Sequence, residues 1–393
     1  MEATPVVTTE ATAAAATTSS TTTSPAAPPT PLPTHFLDAH QHFLDPGRNT
    51  FQGFLGSLVG TTTSYLPADY ARDVTAPLAA AGVTLVGTVH VECLPDDGAA
   101  EAAWVQGLAS ANAVSPVAAL VASCNLAQPR AVVDAQLAAL VASQATNGGP
   151  PVRGVRWILD ADGPFDGSTN ATHVGVTRHD PPGLDYLRGH EDAPHGILPA
   201  FATGYARLAA HGLRFDLQCA PAQLLVAAAL AAEHPDIPVA INHLGKPWDI
   251  LRANDKDDGT APLLTVNQTS WTTWRTGMAA LARLPHVYCK ISMLGYADPG
   301  WSSSAAGTQV VQSLVREVVT LFGADRCMVA LNWWKDAATS DADGRSARGP
   351  SPVEYLQHCS NFFAEFSQAD RDQLFYGTAR QFYRIPDDPS RVA

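Results

Sequence analysis

The sequence predicts a (β/α)8 barrel with long βα loops, preceded by a disordered N-terminal tail. From His35 onward, short β-branched runs alternate with Ala- and Leu-rich stretches over about 350 residues, and eight such runs can be counted. Strands that alternate with helices are typical of parallel βαβ units. The residues suited to chemistry also fall at the C-terminal ends of the predicted strands, where barrels build their active sites.

A doubly wound open sheet is the alternative arrangement of the same elements. Such a sheet needs a glycine-rich phosphate-binding turn directly after its first strand. No G-x-G-x-x-G sequence follows the first predicted strand, and the barrel is therefore preferred.

The tail comprises residues 1–34, and the barrel is expected to span residues 35–393. The tail consists mainly of Thr, Ala, Ser and Pro, with no Lys, Arg or aromatic residue, which predicts disorder because nothing in it can build a core. Its Ala run follows Glu10 and is flanked by threonines, unlike the basic and apolar regions of a signal peptide. We therefore expect a cytoplasmic protein.

The individual elements follow from periodicity and from turn-forming residues between them. The predicted strands are a first strand ending at His42 and segments 83–92, 117–124, 152–159, 213–219, 237–243, 287–292 and 327–332. The predicted helices follow Asp69 and occupy segments 101–110, 129–145, 198–211, 221–234, 271–284, 309–322, 353–366 and 371–378. The long Gly-, Asp- and His-rich segment 160–196 is read as a functional loop.

Composition excludes several classes of function. The chain has 393 residues, 46% of them hydrophobic, and a net charge of −13 with no cluster among its 24 basic residues. Nucleic acid and anionic membrane surfaces are therefore not expected partners. The six cysteines show no C-x-x-C spacing and lie mostly in apolar runs, which predicts reduced, buried thiols.

The most informative stretch is Phe36–Phe43, which contains His40 and His42. Side chains two apart on a strand point the same way, so the two imidazoles share one face with Cβ atoms roughly 6 to 7 Å apart. At the end of a strand this pair can converge on one ion or one substrate oxygen. His90 and Glu92 are expected to share a face at the end of the second strand, and His243 ends the sixth.

Histidines that converge from two strands predict either a zinc site or an electrophilic clamp on a carbonyl group. A bound ion would lower the pKa of its water to about 7 and create a nucleophile, whereas histidine alone can stabilise an oxyanion. Glu92 is a candidate ligand or base. No G-x-S-x-G sequence is present, and a serine nucleophile is not supported.

Seven motifs follow one another along the chain: LDAHQHF at 37–43, VHVE at 89–92, FDLQ at 215–218, NHLGKP at 242–247, CKIS at 289–292, RCM at 326–328 and FYGTARQFYR at 375–384. Together they resemble the amidohydrolase-related (amidohydrolase 2) family of the amidohydrolase superfamily, in the branch of sugar-acid lactonases and 2-pyrone-4,6-dicarboxylate lactonase. The resemblance runs in order from about 35 to 385. It implies a (β/α)8 barrel and hydrolysis of a lactone or related cyclic ester.

The resemblance also implies roles for single residues. His40, His42 and His243 become the histidine set, while Asn332 stands where many relatives have an aspartate, with Asp336 four residues later. Asn cannot accept a proton as a base, which leaves Glu92, Asp336 and His243 as candidates. The fifth strand lacks the histidine of metal-rich relatives, so a single Zn²⁺ held by the three histidines, or no metal, is expected.

Substrate binding is assigned to four residues: Arg156, Lys246, Lys290 and Tyr65. The three cations can hold a carboxylate, so the expected ligand is a small carboxylated lactone. For each cation a structural ion pair is the equal alternative, and whether copies of the chain form a homo-oligomer stays open. Two other functions are kept: a metal-dependent decarboxylase and a binding barrel that has lost catalysis.

Overall fold

The computed structural model describes residues 29–46, 64–111, 117–161, 184–247, 250–254, 263–298, 300–333 and 349–386. Eight parallel strands form one sheet, with a separate two-stranded hairpin. The strands are β1 (His35–Gln41), β2 (Thr84–Val91), β3 (Val117–Ser123), β4 (Val152–Arg156), β5 (Arg214–Leu217), β6 (Val239–Ile241), the hairpin strands β7 (Leu251–Asn254) and β8 (Leu263–Val266), β9 (Val287–Ile291) and β10 (Cys327–Val329). The sheet order is β1-β2-β3-β4-β5-β6-β9-β10.

Helices connect most of the parallel strands, as βαβ units require. They are α1 (Pro67–Tyr70), α2 (Ala76–Ala80), α3 (Gly98–Ala111), α4 (Arg130–Asn147), α5 (Pro199–Ala210), α6 (Leu224–Glu233), α7 (Gln268–Ala282), α8 (Ala305–Phe322), α9 (Pro352–Phe362), α10 (Gln368–Asp372) and α11 (Thr378–Phe382). Single π-helical turns join α1 to α2 and α10 to α11.

The first and last strands meet and close the sheet into a barrel. The backbone N–H of Asn332 donates to the carbonyl of His40 at 2.8 Å, and that of His42 donates to the carbonyl of Trp333 at 3.2 Å. Gln41 and Trp333 form a parallel bridge at the same place. These contacts, which we call the seam, confirm the predicted (β/α)8 barrel.

Residues from non-adjacent strands touch one another inside the barrel, which only a closed sheet permits. This inner cluster is built from small and medium side chains, including Ala39, Ala119 and Ala240, and is completed by Phe382 and Tyr383 at the end of α11. A larger apolar layer lies between the strands and the surrounding helices. The aromatic side chains of the C-terminal segment thus fill one end of the barrel, and the polar residues described below occupy the other.

The structure differs from the prediction mainly at strand ends. Barrel strands end one to three residues earlier than expected. The hairpin β7–β8 was missed within a segment read as a polar loop. Asp336 and most of segment 160–196 lie outside the described residues.

Residues 29–34 belong to the predicted tail but carry specific hydrogen bonds. The N–H of Thr30 donates to Oδ1 of Asn361 at 3.1 Å, and the side chains of Gln357 and Arg371 donate to the carbonyls of Thr30 and Pro31. These six residues therefore pack on α9 and α10.

The cysteines agree with the prediction of reduced, mostly buried thiols. The six cysteines form no disulfide, and all except Cys93 are buried. Within the described ranges, no helix combines the length and the apolarity that a membrane span requires.

Candidate active site

Three imidazoles meet at the C-terminal end of the barrel, as the sequence predicted. The ring centres of His40 and His42 lie 4.9 Å apart, and those of His40 and His243 also lie 4.9 Å apart. All three rings are buried. The pairing register of β1 shifts between Asp38 and Gln41, and such an irregularity re-aims side chains at a strand end.

His40 lies between two cationic side chains. Nζ of Lys290 is 3.3 Å from its Nδ1, and Nη1 of Arg156 is 3.4 Å from its Nε2. Burial and then the charge of Lys290 lower the pKa of His40 well below its usual value, so the ring is neutral. Both neighbours only donate, and a neutral imidazole has one lone-pair nitrogen. His40 therefore accepts from one cation and presents an N–H on its other side.

His42 is fixed through both ring nitrogens. Its Nδ1 lies 2.8 Å from the carbonyl oxygen of Val91, which only accepts, so Nδ1 carries the proton. Burial and the charge of Arg156 lower the pKa of His42 to about 4, which leaves a lone pair on Nε2. Oδ1 of Asn332 lies 3.1 Å from Nε2. Because an amide oxygen cannot donate to a lone pair, we infer that the amide is flipped, with its NH2 group toward the ring.

His243 is held by Ser292, whose hydroxyl lies 2.8 Å from Nδ1. Burial and the charge of Arg156 lower the pKa of His243 as well. His243 and Asn332 both adopt positive φ angles, 56° and 53°, which are uncommon outside glycine. Backbone strain of this kind collects at functional sites because the surrounding structure must hold it in place.

Each of the three cations predicted to bind substrate forms an ion pair with a carboxylate of the chain. The pairs are Arg156 with Glu92 at 2.6 Å, Lys246 with Asp160 at 2.6 Å and Lys290 with Asp216 at 2.5 Å. All six side chains are at most 4% exposed. The ion pair that was the alternative for each cation is therefore present in the structure. The role of the three cations in substrate binding stays a prediction.

Glu92 is positioned to hold Arg156. One carboxylate oxygen accepts from Nε of Arg156 and the other from the backbone N–H of Leu94 at 2.9 Å. His90 was expected on the same face, and that expectation is wrong: its Nδ1 accepts from the N–H of Phe43 at 3.3 Å, and its ring stacks on Phe43. Glu92 lies past the end of β2, where the strand alternation no longer applies.

Tyr65 lies in the apolar layer outside the barrel. It is 2% exposed, and its backbone pairs with Leu44. Among the contacts of the described residues, none joins Tyr65 to the three histidines, so its assignment to substrate binding stays a prediction.

Three buried residues of the site escaped the sequence reading: Asp38, Asp160 and Asp216. Oδ1 of Asp38 accepts from the backbone N–H groups of His40 at 3.2 Å and Leu331 at 2.9 Å, on the two sides of the seam. Asp38 could have been predicted as a site residue from the sequence. It lies two residues before His40 in a strand that was expected to be buried, and a buried carboxylate must form hydrogen bonds. Asp160 directly follows an apolar run and gave no comparable signal.

A zinc ion does not fit the described arrangement. An ion bound through either nitrogen of His40 would lie against Lys290 or Arg156, and both nitrogens of His42 are already engaged. Within the described ranges, no group of three or more His, Cys, Asp or Glu residues has the geometry to hold a metal. We therefore derive no step of the chemistry through a metal.

The chain is similar to three curated proteins over part of its length. It is 29% identical over 187 residues to the uncharacterized protein y4mH of Sinorhizobium fredii, an alignment that covers 48% of this chain and 52% of that protein. It is 28% identical over 188 residues to an L-fucono-1,5-lactonase of Burkholderia multivorans, covering 48% and 56%. For the L-fucono-1,5-lactonase of Burkholderia ambifaria the values are 27%, 49% and 57%. The alignments span little more than half of these relatives.

Solved structures of the same fold cover nearly the whole chain. An amidohydrolase from Burkholderia multivorans with bound zinc gives a TM-score of 0.59 at 22% identity, covering 89% of this chain and 99% of that one. A probable 2-pyrone-4,6-dicarboxylic acid hydrolase from Acinetobacter baumannii with bound citric acid gives 0.53 at 12% identity, covering 89% and 99%. Both likenesses concern the fold. The family model described as "Amidohydrolase" matches residues 37–385.

Proposed function

We propose that the chain, which belongs to the amidohydrolase family, is a hydrolase that opens a lactone by the attack of water on the ring carbonyl. The named relatives that act on L-fucono-1,5-lactone support this reaction class. In the step, the water oxygen bonds to the carbonyl carbon, the ring C–O bond breaks, and the released oxygen takes a proton. The product is an open-chain hydroxy acid.

The cluster of three neutral imidazoles beside Arg156 is the observation that carries this proposal. An oxyanion develops on the carbonyl oxygen when water attacks, and preorganised donors stabilise it most in a buried site. Arg156, whose Nη1 lies 3.4 Å from Nε2 of His40, supplies such donors beside the three imidazoles. Of the candidate bases, Glu92 is already bonded through both oxygens, which favours His243 or Asp336, the latter outside the described residues.

The ion pairs favour an uncharged lactone. The positive charges of Arg156, Lys246 and Lys290 are each offset by a buried carboxylate, so a substrate carboxylate would add an unpaired negative charge. Burying an unpaired charge is costly. We therefore prefer a neutral, hydroxylated lactone to the carboxylated lactone expected from the sequence.

A lactone panel tests the proposal. We expect the purified protein to open L-fucono-1,5-lactone and to leave 2-pyrone-4,6-dicarboxylate unchanged, as followed by pH-indicator and ultraviolet absorbance assays. His40→Ala, His42→Ala and His243→Ala should each reduce kcat/KM by at least about 100-fold. His211→Ala is the control, because His211 lies outside the site beside Asp134.

Two results would contradict the proposal. One is a wild-type protein that opens no lactone of the panel, and the other is full activity in the three histidine variants. Preferred hydrolysis of 2-pyrone-4,6-dicarboxylate would support lactone hydrolysis but contradict the proposal that the substrate is uncharged. Stoichiometric zinc in the purified protein, together with release of CO2 from hydroxybenzoates, would instead support the decarboxylase alternative.

A further inference from the structure

Asp160 carries a buried carboxylate of which only one oxygen is in use. Nζ of Lys246 donates to Oδ2 at 2.6 Å, and Nε2 of Gln218 lies 3.4 Å from the same oxygen. Oδ1 is buried and has no hydrogen-bond partner within the described ranges, and the residue is 1% exposed. Buried carboxylate oxygens are normally satisfied because desolvation is costly. Oδ1 is therefore open to a donor that the described residues do not supply.

A chain of side-chain contacts links Asp160 to the histidines on one side. Oε1 of Gln218 accepts from Nη1 of Arg156 at 3.0 Å, and the same nitrogen lies 3.4 Å from Nε2 of His40. The carboxylate is thus linked to Arg156 through Gln218, and to His40 through Gln218 and Arg156.

A second chain of contacts leads back to the histidines on the other side. Nζ of Lys246 lies 5.0 Å from the ring centre of Tyr296, and that ring lies 5.8 Å from the ring of His243. Since His243 is 4.9 Å from His40, both series of contacts lead from Asp160 to the histidine cluster. Asp160 is therefore connected to the histidine cluster by contacts on both sides.

Asn242 provides a second, independent indication of missing partners. It directly precedes His243, is 1% exposed, and neither atom of its side-chain amide has a hydrogen-bond partner among the described residues. An amide can both donate and accept. The unsatisfied amide therefore lies on the residue next to a histidine of the cluster, and it can pair with a hydroxyl group as donor or acceptor.

We propose that Oδ1 of Asp160 accepts a hydrogen bond from a ring hydroxyl of the substrate and so determines specificity for hydroxylated lactones. The inference rests on the proposed lactone hydrolysis and identifies the residue that recognises a hydroxyl group of the substrate. A hydroxyl is the complementary donor because it brings no charge: an ammonium group would add a cation beside Lys246, and a carboxylate would be repelled.

The test compares two lactones that differ in their ring hydroxyls. L-fucono-1,5-lactone and δ-hexalactone share the six-membered ester ring and its methyl group, but δ-hexalactone has no hydroxyl. We expect wild type to prefer the hydroxylated lactone in kcat/KM. Asp160→Asn keeps an oxygen for Lys246 and turns an NH2 group toward the position of Oδ1, so this preference should fall about 10- to 100-fold.

Asp216→Asn is the matched control, since Asp216 is also a buried aspartate paired with a lysine. Both of its oxygens are in use, bonded to Tyr383 and Lys290, so this variant should change the rates for the two lactones by the same factor. If Asp160→Asn fails to fold, the double variant Asp160→Asn/Lys246→Met removes both charges and should show the same loss of preference.

Calorimetric binding of L-fucose separates the two proposals, because this sugar carries the ring hydroxyls but no ester. Wild type should bind it at least about 10-fold more tightly than Asp160→Asn. If wild type opens no lactone but shows this difference, the proposed reaction fails and the hydroxyl subsite stands. Equal binding by both proteins, no binding by wild type, or an unchanged lactone preference in Asp160→Asn would each overturn the inference.

Discussion

Nε2 of His42 and the side-chain amide of Asn332 lie 3.1 Å apart across the seam of the barrel, although 290 positions separate them in the sequence. The seam is held by few backbone hydrogen bonds, and Asp38 adds a side-chain link across it through His40 and Leu331. The contact between His42 and Asn332 therefore depends on how the first and last strands meet.

Asn332→Asp should raise the pKa of His42 from about 4 by at least about one unit. A carboxylate at this distance stabilises the imidazolium form. Two-dimensional NMR titration of the imidazole signals measures the change. Asn332→Gly is the control, because glycine tolerates the φ of 53° and adds no charge. An unchanged pKa in the aspartate variant would show that the contact does not form in solution.

Asp38→Asn should change stability in a manner that depends on pH. Burial raises the pKa of Asp38 to about 6 from 3.8, so between these values the folded state binds more protons than the unfolded state. Wild type thereby gains up to about 3 kcal/mol as the pH falls from 6 to 3.8, and the variant does not. We expect the stability of the variant relative to wild type to be highest near pH 7.

Urea unfolding of both proteins at pH 7 and pH 4.5 measures this difference. The lowered pKa of His42 acts in the opposite direction, because its unfolded form takes up a proton below about 6.5 and its folded form only near 4. This loss of stability occurs in both proteins and cancels in the comparison. A difference in unfolding free energy that stays constant with pH would contradict the assignment.

Glu92→Gln should lower the stability of the protein and the rate of lactone hydrolysis without abolishing the reaction. The substitution leaves Arg156 buried without its charge partner, which costs about 3 kcal/mol of stability. If Glu92 only positions Arg156, lactone hydrolysis should fall less than about 100-fold and keep its pH profile. A loss of about 10³-fold or more with an altered profile of kcat against pH would instead identify Glu92 as the base.

Two helix glycines should respond oppositely to alanine. A Cβ on Gly204 in α5 would lie 1.9 Å from the carbonyl oxygen of Leu126, whereas a Cβ on Gly107 in α3 would meet nothing within 4 Å. Gly107→Ala should therefore raise the unfolding free energy by about 0.5 to 1 kcal/mol, and Gly204→Ala should lower it by about 2 kcal/mol or more. Equal effects in thermal unfolding would show that α5 does not pack on Leu126 this closely.

The barrel and the meeting of its histidines followed from local patterns. Strand periodicity located eight strands, and the rule that parallel strands end on one face placed His40, His42 and His243 together.

The partners of the charged residues could not be read from the sequence. Glu92, Asp160 and Asp216 pair with cations that lie on other strands or beyond their ends, and no local signal states which loops turn toward each other. His90 was misplaced because Glu92 lies past the end of β2, so the strand alternation that placed both side chains on one face stops between them.

The sequence by itself determined the fold and the identity of the histidine cluster, because both depend on periodicity and on the order of elements along the chain. Only the tertiary structure decided the electrostatics of the site. It paired every predicted substrate-binding cation with a carboxylate, made the imidazoles neutral by burying them beside those cations, and left one oxygen of Asp160 without a donor among the described residues. Burial and pairing are properties of distance in space, and a pattern along one strand does not contain them.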